Sequence, residues 1–196
     1  MTVIHTLLSL DQQLFLWLNT HWHSALLDEF FVFLTTKQNW LVPGVILMLL
    51  LAVFEKKQAP YLLLTLVLAV ILADQLSSGV LKPLVGRLRP CKVLEGFRLL
   101  VPCGGRWSFP SAHAANAAAV AVVLAGWYPR WRIAFGVLAF LVGYSRIYVG
   151  VHYPLDVLGG WALGIVCGIV VLQGTQWVRE RFLNTAPKAI EENRGR

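Results

Sequence analysis

Three short stretches of this chain carry residues that can do chemistry. In "SRIYVGVHYPLD", Arg146 precedes His152 by six residues, and Asp156 follows His152 by four with Pro154 between. A carboxylate in reach of a histidine holds one ring N–H and turns the other nitrogen's lone pair outward, which makes the ring a base or a nucleophile. In "RWSFPSAHAANAAAV", Pro110 ends an extended segment and Ser111 is placed to cap the helix that follows, leaving backbone N–H groups beside a hydroxyl, with His113 at the mouth. Such a helix start is an anion site. In "LKPLVGRLRP", Lys82 and Arg89 are seven apart, nearly two helical turns, so on a helix they share a face and Arg87 points well away from them.

Taken singly, each stretch has an ordinary explanation: basic side chains snorkelling at a helix end, a serine N-cap, or a structural Asp-His pair at a helix start. Together they supply three cations, a helix N-terminus and two histidines. Several cations plus backbone N–H groups match the three equatorial oxygens of a phosphoryl group in transfer.

The elements that must position these residues are apolar. Of 196 residues, 57% are hydrophobic and 14% charged, which points to an integral membrane protein. Apolar runs fall at residues 25–35, 40–54, 60–73, 114–126, 133–144 and 157–172. Each is shorter than the ~20 residues of a spanning helix, and polar ends close the gap. Lys56 and Lys57, Arg130 and Arg132, and Arg179, Arg181 and Lys188 are assigned to the cytoplasmic side, and alternation then gives six spans with both termini cytoplasmic. All three polar stretches fall on the opposite, extracytoplasmic face, where ionisable residues at membrane depth mark a site. The expected fold is an all-α polytopic bundle of six transmembrane helices in a single domain over residues 1–196. The first span, which holds Asp28 and Glu29, follows an amphipathic interfacial segment, "SLDQQLFLWLNTHWH". The N-terminus lacks the ordered features of a cleaved signal and is read as retained.

The formal charge of +7 is scattered between apolar runs and at the C-terminal end, so nucleic acid is not an expected partner; the lipid bilayer is. Three cysteines form neither a disulfide framework nor a metal site. Cys167 reads as a small core residue. Cys91 and Cys103 bracket one loop, and the sequence leaves both the bridged and the free state open.

The ordered set "KPLVGRLRP", "PSAH" and "SRIYVGVH" followed by "YPLD" resembles the three-part signature of the type 2 phosphatidic acid phosphatase superfamily, which also holds bacterial acid phosphatases and vanadium haloperoxidases. The resemblance implies that His152 is the nucleophile that forms a phosphohistidine, Asp156 the carboxylate that orients it, and His113 the general acid that protonates the leaving oxygen and then activates water. It implies a phosphate clamp of Lys82, Arg89 and Arg146, completed by Ser111 and the backbone N–H of Ala112, with no metal and no cofactor. Ala112 departs from the glycine commonest at that position in the family; the N–H survives the change. The short chain and its early "DQQLFLWLN" look like bacterial inner-membrane phosphatases whose site faces the periplasm and whose partner is a membrane lipid substrate. Undecaprenyl pyrophosphate is favoured, with phosphatidylglycerol phosphate and lipid A as alternatives. Arg98 and Arg106 are candidates for a headgroup contact, or simply basic residues at a lipid surface.

Other readings are a lipid-to-lipid phosphotransferase, which would release no inorganic phosphate without an acceptor, and a lipid transporter. A transporter favours paired discontinuous helices in an inverted repeat, and the sequence has no such symmetry. A haloperoxidase needs vanadate and a much longer, soluble chain.

Overall fold

The computed structural model describes residues 3–55 and 58–183, and no strand is formed among them; one isolated antiparallel bridge joins Leu88 to Trp107. Lys56, Lys57 and Lys188, used above for orientation, lie outside the described residues. The helices are α1 (Val3–Thr20), α2 (Ala25–Thr35), α3 (Leu41–Phe54), α4 (Ala59–Asp74), α5 (Lys82–Val85), α6 (Pro90–Val93), α7 (Ala112–Trp127), α8 (Arg132–Tyr148) and α9 (Pro154–Val178). Each of the six apolar runs has become a helix.

Among the described residues, two helices are long and apolar enough to cross a membrane: the continuous stretch Ala59–Val85, which joins α4 to α5 through a π-helical segment at Gln75–Leu81, and Pro154–Arg181. A third span results if α2 and the helix after it, bent by 70°, count as one.

Helices α7 and α9 form the centre, and small residues explain why. Alanine dominates α7, favouring helix without projecting bulk. Facing it, α9 carries Gly160, Gly164 and Gly168 at four-residue intervals. A methyl on Gly160 would run into the Ser111 carbonyl, and one on Gly164 into the Ala115 carbonyl. Close backbone approach of this kind is how small residues hold helices together in lipid, where no hydrophobic drive acts between them. We expect Gly164→Ala to cost about 2 kcal/mol by overpacking, read as a lowered melting temperature in detergent. An unchanged melting temperature would mean the two helices tolerate separation.

Helix α1 has an inverted pattern. Its inward stripe is Asp11, Phe15 and Asn19, spaced four apart, while Leu7, Leu14 and Trp17 lie exposed on the outside. Asn19 donates to the carbonyls of Tyr148 (2.8 Å) and Arg98 (3.0 Å) and accepts from the Arg98 N–H (2.7 Å). The helix thereby ties the end of α8 to the long loop between α6 and α7.

One expectation is corrected here. Lys82 and Arg89 do not share a helix: α5 stops at Gly86, whose φ of 63° is left-handed. Glycine tolerates that conformation and commonly ends helices with it. Residues 87–89 then run extended, bridged through Leu88 to Trp107. Arg89 therefore comes near Lys82 across the helix stop rather than along a shared helix, while Arg87 is carried to Asp11 and Asp156.

Candidate active site

His152 lies in the turn between α8 and α9, almost wholly buried. Its Nδ1 is 3.5 Å from Asp156 Oδ2 and 3.3 Å from Ser108 Oγ, and the Ser108 hydroxyl in turn donates to Asp156 Oδ2. With Nδ1 engaged on that side, Nε2 carries the available lone pair. Burial pushes the imidazole down to about 3; Asp156 opposes this, while the charges of Arg89 and Arg146 reinforce it. The ring is thus neutral near pH 7, the state a nucleophile needs.

Asp156 sits in the first turn of α9 with no solvent exposure. Besides Ser108, it accepts from the Tyr153 backbone N–H (2.8 Å) and from Arg87 Nη1 (2.9 Å). The Arg87 guanidinium lies over the Tyr153 ring, 4.0 Å from its centre, and its Nη2 reaches Asp11 Oδ2 at 2.5 Å. Asp11 also accepts the Leu155 N–H at 2.9 Å. An α1 carboxylate and an arginine thus fix the start of α9 and the acid that orients His152. The carbonyl of Asp156 accepts the Ser111 N–H (2.9 Å), locking the entrance of α7 to that of α9.

The remaining cations lack acids. Among the described residues, Lys82, Arg89 and Arg146 form no ion pair. Lys82 Nζ reaches Ser78 Oγ at 3.4 Å, Arg89 Nε donates to the Trp107 carbonyl at 3.2 Å, and buried Arg146 donates through Nη1 to Thr35 Oγ1. Arg146 Nε has no hydrogen-bond partner among the described residues. Nor does Ser111 Oγ, although Ser111 is fully buried. The expected capping bond is absent: Ser111 stands at the N-cap of α7 with its hydroxyl uncommitted. Leaving buried donors unpaired is costly unless a ligand completes them. The cation charges converge: Arg89 and Arg146 act on His152, and Arg146, Lys37 and Lys82 on His113. The arrangement can hold a small polyanion against His152, with His113 on its other side.

Since Ser111 Oγ contributes no bond to the unliganded fold, Ser111→Ala should leave thermal stability within about 0.5 kcal/mol. It should lower kcat/KM about tenfold through one lost hydrogen bond to charged oxygen. A large stability loss would instead make the hydroxyl structural.

His113 and Ala112 also line an apolar cavity of about 520 Å³ walled by α2, α3, α7 and α8. Cys91 and Cys103 are bridged, with Cα atoms 6.0 Å apart, closing the loop that carries Arg98. Arg98, a candidate headgroup contact, pairs through Nη2 with Asp28, which also accepts the Tyr148 hydroxyl at 2.6 Å, while its buried Nη1 has no hydrogen-bond partner among the described residues. Arg106 rests on its neighbour's ring, 4.5 Å above Trp107. The sequence reading missed Arg87, Ser108 and Asp11. Gly86, a helix stop, was the available signal for Arg87; nothing local distinguishes Ser108 or Asp11.

The chain has relatives among known proteins. The chain is 32% identical over 196 aligned residues to a lipid A 4'-phosphatase of Porphyromonas gingivalis, covering 92% of this chain and 79% of that one. It is 39% identical to an undecaprenyl-diphosphatase of Sulfolobus acidocaldarius over 59% of this chain and 55% of that one. The crystal structure of a PAP2-type phosphatidylglycerolphosphate phosphatase from Bacillus subtilis superposes with a TM-score of 0.68 at 30% identity, covering 90% of this chain and 89% of that one. The PAP2 superfamily model matches residues 60–180, a range that takes in Lys82, His113, His152 and Asp156, and the chain belongs to that superfamily as a membrane lipid phosphatase.

Proposed function

We propose that this phosphatase cleaves a phosphate from a membrane lipid through a phosphohistidine at His152. The observation that carries the reading is a buried, neutral histidine, oriented by Asp156 and faced by cations without acids. His152 Nε2 attacks phosphorus while Lys82, Arg89 and Arg146, with Ser111 Oγ and the Ala112 N–H, hold the three non-bridging oxygens. His113 gives its proton to the departing oxygen, so the lipid alcohol or lipid phosphate leaves neutralised. It then takes a proton from water, which attacks the phosphohistidine, breaks the N–P bond and releases inorganic phosphate. The residues that neutralise phosphate charge are side chains and backbone, so we expect turnover to persist in chelator.

We place the site on the extracytoplasmic face of a six-span, single-domain fold in a bacterial inner membrane, with α1 at the interface. The Cys91–Cys103 bridge supports that face, since disulfides persist in oxidising compartments. For the substrate, two lipid A 4'-phosphatases, 32% and 39% identical over 92% and 83% of the chain, move the weight from undecaprenyl pyrophosphate to a phosphorylated lipid A type of glycolipid. Undecaprenyl pyrophosphate stands second, on one match of 39% identity over 59% of the chain and another of 27% over 80%.

The test is phosphate release by purified protein, with chelator, from lipid A, undecaprenyl pyrophosphate, phosphatidylglycerol phosphate and phosphatidic acid offered singly. Preference for lipid A supports the reading, and preference for the polyprenyl lipid overturns its order. Phosphate appearing only when a second lipid is added would make the enzyme a phosphotransferase.

A further inference from the structure

The largely apolar cavity that His113 and Ala112 line also holds, besides Thr35 and Lys37, a pair of polar side chains that the hydrolytic mechanism does not use. Asp74 and Asn116 both line it. Asn116 Nδ2 donates to Asp74 Oδ1 at 3.3 Å, and because a carboxylate only accepts, this contact fixes the amide with Oδ1 turned the other way. That oxygen is buried and has no partner. Asp74 Oδ2 accepts no hydrogen bond among the described residues, and Asp74 is half-buried rather than sealed off. Asp74 closes α4, within a stretch long and apolar enough to span a membrane, and its charge acts on Lys82, two turns on. An acid at that depth is expensive and marks function by default. The seven-residue π-helical segment that follows it, Gln75–Leu81, sets its rotation relative to Lys82; such distortions are frequent at functional sites. Asn116 lies three residues beyond His113, about 4.5 Å deeper along α7.

A buried acceptor without a partner, beside a carboxylate in a mostly apolar cavity whose other polar lining is Thr35, Lys37 and His113, calls for a ligand that brings donors. We propose that Asp74 and Asn116 are specificity residues that accept hydrogen bonds from N–H or O–H groups in the linker between the scissile phosphate and the lipid chains. The fitting substrate is a phosphorylated amino-sugar lipid with amide-linked, hydroxylated acyl chains. A polyprenyl chain offers no donor at that depth, and the ester links of a diacylglycerol offer only acceptors, which would face Asp74 and Asn116 with repulsion. The inference rests on the glycolipid reading above and narrows it to a chemical feature.

The experiment uses two synthetic phosphorylated glucosamine lipids of equal chain length, one with amide-linked 3-hydroxyacyl chains and one with ester-linked unhydroxylated chains. The wild-type enzyme is compared with Asn116→Leu and Asp74→Asn on both. We expect the wild type to favour the amide lipid at least about tenfold in kcat/KM, and Asn116→Leu to reduce that ratio about tenfold, mainly through KM. Asp74→Asn, which keeps a carbonyl oxygen, should retain part of the preference. Inhibition by inorganic phosphate reports the phosphate cradle separately, so an unaltered inhibition constant in the variants shows that the cradle survives. A ratio unchanged by Asn116→Leu overturns the proposal while leaving the glycolipid reading intact. So does a wild type that cleaves both lipids equally. If the wild type cleaves neither but hydrolyses undecaprenyl pyrophosphate, the glycolipid reading itself fails and this inference falls with it. Should Asn116→Leu fail to fold, the Asp74→Asn ratio decides alone, and a full wild-type preference in that variant counts against the pair.

Discussion

His152→Ala should reduce phosphate release by at least about ten thousandfold, the scale on which nucleophile-base units lose rate when one member is removed. Its melting temperature in detergent should stay close to that of the parent, because the ring's polar contacts, to Ser108 and Asp156, leave both partners still bonded to each other. The sharper measurement is covalent. Mixed with a substrate carrying a radiolabelled phosphate and quenched in alkali after milliseconds, the wild type should carry acid-labile label and His152→Ala none. His113→Ala separates the two half-reactions. With a lipid substrate it should be slow at the first step, for want of a proton on the leaving oxygen. With p-nitrophenyl phosphate, whose leaving group needs no proton, it should form the labelled enzyme and then stall at hydrolysis. Phosphate release by His152→Ala within tenfold of wild type would remove the nucleophile from this residue.

Much of that chemistry is legible in the sequence because it is local. His152 and Asp156 meet through one helical turn, and His113 follows the residue that begins α7. The helices are legible for the same reason: apolar runs become helices wherever backbone groups have no water to turn to. What escapes is contact across the chain. Ser108 reaches His152 over 44 residues and Asp11 reaches Arg87 over 76. No spacing rule encodes either. Arg87 was misread for a different reason, since a helical period was carried through Gly86 where the chain turns extended. Ser111 was misread by propensity: a serine before a helix is ordinarily its cap, and here the fold leaves that hydroxyl unbonded. In each case the sequence supplied the residue type, and tertiary structure decided what it met.

Asp156→Asn should damage both turnover and folding, and the two losses have separate origins. The carboxylate faces donors on every side: Arg87 on one oxygen, and Ser108, the Tyr153 N–H and His152 on the other. An amide has one accepting oxygen, so its NH2 must confront either a guanidinium or the group of three. In either pose a buried donor meets a donor. We expect a loss of about 3 kcal/mol in stability, as for breaking a buried ion pair by altering one partner, and a fall in kcat of about a thousandfold or more as Nδ1 loses its acceptor. Arg87→Met divides the effects. It removes the bridge between Asp156 and Asp11 and leaves the His152 side of the carboxylate intact, so stability should fall by a similar amount while kcat falls only about tenfold. Equal rate losses in the two variants would mean that Arg87 acts on the chemistry directly. Wild-type turnover in Asp156→Asn would mean that His152 is oriented by Ser108 alone, since that hydroxyl is the only other group within 3.5 Å of Nδ1 among the described residues.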